Sequence, residues 1–165
     1  MNNIKVSILG ADGYTCQIPR IKEGMEILGH VLSKESPDVI YSNDPRGYNE
    51  ALELKKKYPS SYLILNLLDI PWHLPDIKKQ TQLLVKHYLE KADSVTTISN
   101  KVKNDLTRFY DKTIHVIYNP IKDVHLDEKI KKNNTFFYVG RATDPIKRFS
   151  LVRESLTKIK EGEKN

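Results

Sequence analysis

Five short apolar runs, each closed by a turn signal and followed by a longer amphipathic stretch, constrain this chain more than anything else in it. They are "IKVSILG" at 4–10, "DVIYS" at 38–42, "YLILNLL" at 62–68, "SVTTIS" at 94–99 and "IHVIY" at 114–118. All are strand-length and rich in β-branched, leucine and tyrosine side chains. The stretches between them have helical spacing. Residues 17–29 put Ile18, Ile21, Met25 and Leu28 on one face, and residues 48–58 stop at Pro59. Residues 76–92 carry Ile77, Leu83, Leu84, Tyr88 and Leu89 along one side, while 101–109 follow Ser99 or Asn100 as a cap. Strands alternating with helices of about 10–15 residues are the pattern of βαβ units and a parallel sheet covered on both faces. The sequence therefore predicts an α/β, doubly wound, Rossmann-like domain over residues 1–122.

Beyond it, "DVHLDEKIKKNN" at 123–134 is polar, basic and without periodicity, so it reads as a linker. A new unit then opens. "TFFYV" at 135–139 is a strand pattern broken at Gly140, a loop holds Arg141 and Lys147, and an amphipathic helix follows. Residues 135–165 are expected to form the first strand and helix of an incomplete second domain. A lone strand leaves unpaired amides and carbonyls, so 135–139 is expected to seek a second chain or a second copy.

Composition removes several classes. The 165 residues are 39% hydrophobic and 29% charged, enough to bury a core. No run approaches the roughly 18–20 apolar residues of a membrane span, and Met1-Asn2-Asn3-Ile4 lacks the regions of a signal peptide. Cys16 is the single cysteine, which excludes an internal disulfide and a thiolate metal site and fits a reducing compartment. The expected location is the cytoplasm, with peripheral contact to anionic membrane through the basic helix 76–91. The net charge of +6 suits polyanions, anionic surfaces and phosphorylated small molecules alike. Basic residues are not interleaved with aromatics, so nucleic acid is not an expected partner.

In a doubly wound sheet, ligands bind at the carboxyl ends of the strands near a switch in strand order. The loop after the first run, "GADGYTCQIPR", has Gly10 and Gly13 on either side of Ala11-Asp12. Glycines there allow backbone amides to approach a phosphate or sugar hydroxyl, although a plain tight turn needs them equally. "LLDIPWHLP" puts Asp69 at the end of a buried run, with Trp72 and His73 just after. That carboxylate can accept a proton, orient a hydroxyl or bind a cation, or it can simply form a turn. Arg141 and Lys147 flank a loop before a helix, a pairing that suits a diphosphate as well as it suits plain solvated surface.

"ADSVTTISNKVKNDLTRFYDKTIHVIYNPIKD" at 92–123 resembles the end of the N-terminal domain in nucleotide-sugar glycosyltransferases of the two-Rossmann-domain (GT-B) fold, especially the retaining family four. The matching features are Ala92-Asp93, the run Val95 to Ile98, Ser99, Tyr110 and Ile117-Tyr118-Asn119. "FFYVGRATDPIK" resembles the first strand and cationic loop of that family's C-terminal domain, "PDVIYSND" its central strand, and "LLDIP" its acceptor-side loop. The resemblance implies that Arg141 and Lys147, with the family's six-residue spacing, grip the donor diphosphate. It places Asp69 near the acceptor and Gly10, Asp12 and Gly13 at the cleft, while His73 is read from its own loop as a base or, more simply, as a packed or surface histidine. It also implies transfer with retention, using cations rather than a metal to neutralise the leaving group, with no cofactor beyond the nucleotide-sugar substrate. There are departures from the pattern. Leu68 stands where the family often has histidine, Arg148 and Pro120 stand where glycine is common, and no E-x₇-E pair follows Lys147. The sequence is thus expected to be the N-terminal half of such an enzyme plus the start of its partner domain. The alternative is a non-catalytic sugar- or nucleotide-binding half-protein that needs a second chain.

Overall fold

The structure, a computed structural model, describes residues 3–10, 17–68, 79–108, 110–119 and 148–162. The chain divides into two compact units, Met1–Asp123 and Val124–Asn165. In the first, the order is β1 (Lys5–Leu9), α1 (Gln17–Ile27), β2 (Val31–Leu32), β3 (Val39–Ser42), a 3₁₀ turn (Pro45–Gly47), α2 (Tyr48–Lys57), β4 (Tyr62–Leu67), α3 (Lys79–Lys91), β5 (Ser94–Thr97), α4 (Asn100–Leu106) and β6 (Ile114–Val116). In the second, the described element is α5 (Phe149–Gly162), an amphipathic helix as its sequence suggests. The expected strand at 135–139 and linker at 123–134 lie outside the described residues.

The strands form one six-stranded sheet of order β2-β1-β3-β4-β5-β6, with every pairing parallel. This is the Rossmann-like α/β architecture that the alternating pattern predicts. Its one unanticipated strand is β2, which is two residues long and pairs Val31 with Lys5 and Leu32 with Val6.

Side chains alternate between two faces, and each face has its own core. Leu63, Leu65 and Leu67 of β4 are fully buried and join Ile40, Val95, Tyr48, Ala51, Val85, Leu89 and Leu106 in the cluster under α2, α3 and α4. Burying each such leucine contributes about 1.5–3 kcal/mol before chain entropy is subtracted. On the other face, Val6, Ile8 and Ile18 form a smaller cluster with Ile21, Met25, Val39 and Tyr41, so α1 covers the β1–β3 side.

The amino ends of β4 and β5 are latched by Asp93. Its Oδ2 accepts from the main-chain amide of Leu63 at 2.8 Å and from Lys55 Nζ at 2.9 Å, while its own amide donates to Leu63 O at 3.0 Å. Burial pushes this carboxyl upward, but the Leu63 amide, Lys55 and Lys112 together hold it below its usual value. Ser99 caps α4 as its position suggests, its hydroxyl oxygen accepting from Val102 N at 3.2 Å.

Candidate site at the strand carboxyl ends

After β1 the chain turns to one side to reach β2, and it then crosses back to form β3 on the other side of β1. The strand order switches between β1 and β3, and the loops leaving these strands meet there. Gly10 ends β1 at φ +133°, a backbone geometry that side chains disfavour. An added Cβ would lie 3.0 Å from Ile18 Cδ1 and 3.2 Å from Asp44 Oδ2. Gly47 faces it from the crossover after β3. A Cβ on Gly47 would overlap Ser42 Oγ and sit 2.9 Å from Gly10 N and 3.1 Å from Gly10 Cα. The two crossovers therefore pack backbone against backbone, at a separation that only glycine permits.

Asp44 organises the second loop. Arg46 donates to Asp44 Oδ1 from its main-chain nitrogen and from Nε, both at 2.9 Å, and from Nη2 to Oδ2 at 3.1 Å. Asp44 is buried and Arg46 about half exposed, so the pair caps the 3₁₀ turn and holds Gly47 in place.

A row of amides and hydroxyls crosses the sheet beside this point. Tyr41 Oη donates to Asn43 Oδ1 at 3.2 Å, and Asn43 Nδ2 donates to Gln17 Oε1 at 3.2 Å. Asn66 Nδ2 donates to Asn43 O at 3.2 Å and approaches Asn43 Oδ1 at 3.3 Å, while Thr96 Oγ1 donates to Asn66 Oδ1 at 2.9 Å. On the opposite side of the sheet Tyr48 Oη donates to Asn66 O at 2.6 Å. Burial pushes the Tyr41 phenol up to about 12, and the Thr96 hydroxyl offsets part of that rise. Burial, reinforced by Asp44 and Tyr41, holds Tyr48 well above its ordinary value. Both phenols keep their protons at neutral pH and act as donors.

Over this row opens a cavity of ≈ 290 Å³. It is lined by Arg20, Ile21, Gly24, Met25 and Leu28 of α1, by Tyr41, Asn43 and Asn66, and by Ile117, Tyr118 and Asn119 after β6. It lies at the carboxyl ends of the strands, where the topology predicts a ligand.

Of the residues singled out from sequence, Gly10 stands at the switch point, beside Asn43 and Asp44. Asp12, Gly13, Asp69, His73, Arg141 and Lys147 lie outside the described residues. The sequence reading missed Gly47, Asp44, Asn43, Asn66 and Thr96. The available signals were Asn66, the single polar residue inside "YLILNLL", and the Asn-Asp pair directly after a buried strand. Among the described residues, no group of three His, Cys, Asp or Glu side chains is arranged to hold a metal ion. Also among the described residues, no helix is long and apolar enough to cross a membrane. Comparison with protein-family models, curated proteins and solved structures gives no match for this chain.

Proposed function

We propose that the first unit is the acceptor-side domain of a retaining glycosyltransferase that moves a sugar from a nucleotide-sugar to an acceptor hydroxyl. The observation that carries the reading is the switch in strand order between β1 and β3, where the glycine-packed crossovers leave an open cleft at the strand carboxyl ends. The all-parallel sheet and the sequence blocks around Ala92–Asp123 and Phe136–Lys147 support it further.

In the reaction, the anomeric carbon exchanges its bond to the diphosphate oxygen for one to the acceptor oxygen, whose proton passes to the Asp69 carboxylate. Negative charge gathers on the departing nucleoside diphosphate. Arg141 and Lys147 stabilise that charge more in the transition state than in the ground state. Asp69 and His73 serve the acceptor side, and the protein works in the cytoplasm, at the surface of an anionic membrane where the acceptor is lipid-borne.

The test is a panel of nucleotide-sugars assayed for transfer and for donor hydrolysis, with Arg141→Ala and Lys147→Ala run alongside. Turnover that each substitution lowers at least ~100-fold supports the reading, the size expected for losing one fixed charge at a leaving group. Saturable nucleotide-sugar binding without turnover would instead make the chain a binding half-protein. Turnover indifferent to both substitutions would remove the cations from the chemistry.

A further inference from the structure

The cavity over the amide row has a chemical character of its own. Its polar floor is largely spent on itself. Asn66 gives its amide hydrogens to the two oxygens of Asn43 and takes the Thr96 hydroxyl on Oδ1. Asn43 Oδ1 also accepts from Tyr41, and its Nδ2 donates to Gln17. A sugar ring presents hydroxyls on every side and needs unspent donors and acceptors around it. The walls are instead largely apolar, built from Ile21, Met25 and Leu28 on α1 and Ile117 and Tyr118 on the segment after β6, with Arg20 and Asn119 as their polar members. At the rim, Leu28 is 59% exposed, Ile117 56% and Tyr118 68%. These are large apolar side chains turned toward solvent around one opening.

Gly24 adds an independent argument. A glycine inside a helix is less stable than alanine there, because it loses more backbone freedom on folding and buries no side chain. Gly24 is in the body of α1, at ordinary helical geometry, and an added Cβ would meet nothing within 4 Å. No packing partner accounts for the missing side chain. What the glycine leaves is room, because it lines the cavity.

We infer that this cavity binds an alkyl chain carried by a polar head, and so selects acceptors with an apolar aglycone. The volume suffices: an apolar cavity of about 150 Å³ already takes up a benzene-sized molecule, and this one is ≈ 290 Å³. That the chain belongs to an acceptor rests on the sugar-transfer reading above, whereas the preference for an alkyl group rests on the cavity alone.

The experiment uses the full chain with two probes, n-octyl β-glucoside below its micelle concentration and methyl β-glucoside, followed by calorimetry and ligand-observed NMR. Octyl glucoside should bind saturably and at least ~10-fold more tightly than the methyl compound, since even one methylene in an apolar pocket discriminates by about that factor. Gly24→Leu should fill the cavity and weaken octyl binding ~10-fold or more, with the thermal midpoint unchanged or raised. Leu28→Asp places a charge at the exposed rim, outside the core, and should weaken octyl binding with no cost to folding. Equal affinity for the two glucosides would overturn the inference, as would octyl binding indifferent to both substitutions. Self-association in sedimentation that Gly24→Leu abolishes would assign the cavity to a second copy and overturn it too. Octyl binding without transfer from any donor would leave the alkyl site standing and sink the transferase reading. Transfer to methyl and octyl acceptors with equal efficiency would do the reverse.

Discussion

Replacing Gly47 by alanine should destabilise the first unit severely, although its backbone is at an ordinary φ of −88°. The cost comes from proximity. The new methyl group would overlap Ser42 Oγ and lie 2.9 Å and 3.1 Å from two main-chain atoms of Gly10. Ser42 can rotate away only by giving up its hydrogen bond to Asp44 O, about 1 kcal/mol for a buried neutral pair. Gly10 cannot move alone, because Leu9 O beside it accepts from Asn43 N at 2.9 Å and so holds the end of β1 to β3. Forcing a methyl into so close a contact costs about 1–3 kcal/mol, so the total is about 2–4 kcal/mol. For a unit of this size that lowers the thermal midpoint by about 4 °C per kcal/mol, or about 8–16 °C. Gly24→Ala is the internal control, since an added Cβ there meets nothing within 4 Å. It should instead gain about 0.5–1 kcal/mol and raise the midpoint by a few degrees. Circular dichroism melts of the two variants decide the matter. A Gly47→Ala midpoint within a degree of the parent would refute the backbone contact on which the switch-point argument rests.

Asp93→Asn should cost about 1–2 kcal/mol at pH 7, the low end for charge-assisted hydrogen bonds because the carboxylate is partly exposed and screened. The folded protein holds this carboxyl below the ordinary value of 3.8. Its stabilisation is therefore complete above that value and drains away as pH falls through the lower, folded one. Urea titrations from pH 7 to pH 2 should show a shallower acid limb in the Asn variant, and identical limbs would contradict the latch. Asn66→Ala should cost about 2–4 kcal/mol, because it leaves Asn43 O and the Thr96 hydroxyl buried with fewer partners. Asn66→Leu combined with Thr96→Val should recover only the Thr96 share of that loss, since it replaces both partners of that hydrogen bond but leaves Asn43 O without its donor; the check is the midpoint in denaturant at constant slope. Ser99→Ala should remove about 1 kcal/mol by uncapping α4, read as a drop of a few degrees in the melt.

Most of the sheet was legible because parallel strands buried on both faces read as continuous apolar runs, and each run between 4 and 118 contains a strand of the first unit. β2 was not legible. Two residues cannot show a period, and Val31 is half exposed at the sheet edge, so nothing in "GHVLSK" separates a strand from a loop. Gly47 was legible only as turn material. Its requirement for glycine comes from Gly10, a contact between two crossovers that neither local sequence contains. The row of Asn43, Asn66 and Thr96 was hidden for a related reason. A lone polar residue in an apolar strand identifies its face only once register is known, and here register sets Asn66 directly opposite Thr96.

That register also explains why the cavity lies on the α1 side. Alternate residues of β3, β4 and β5 that face α2, α3 and α4 are Ile40, Leu63, Leu65, Leu67 and Val95, with Ser42 and Thr97 at the carboxyl ends, all fully buried. The alternate set on the other face runs through Val39, Tyr41, Ile64, Asn66, Ser94 and Thr96, and there Tyr41, Asn66 and Thr96 are linked through Asn43 into one hydrogen-bonded row. A parallel sheet meant only to be packed has little use for such a row, since buried amides must be satisfied at a cost in precise placement. Here they are satisfied by one another and by Gln17 at the start of α1, which fixes the helix start against the sheet. The row therefore acts as a rigid floor, and α1, notched at Gly24, acts as the wall. A ligand entering above them meets a preformed surface and pays little to order it, the condition under which a small apolar cavity yields useful affinity.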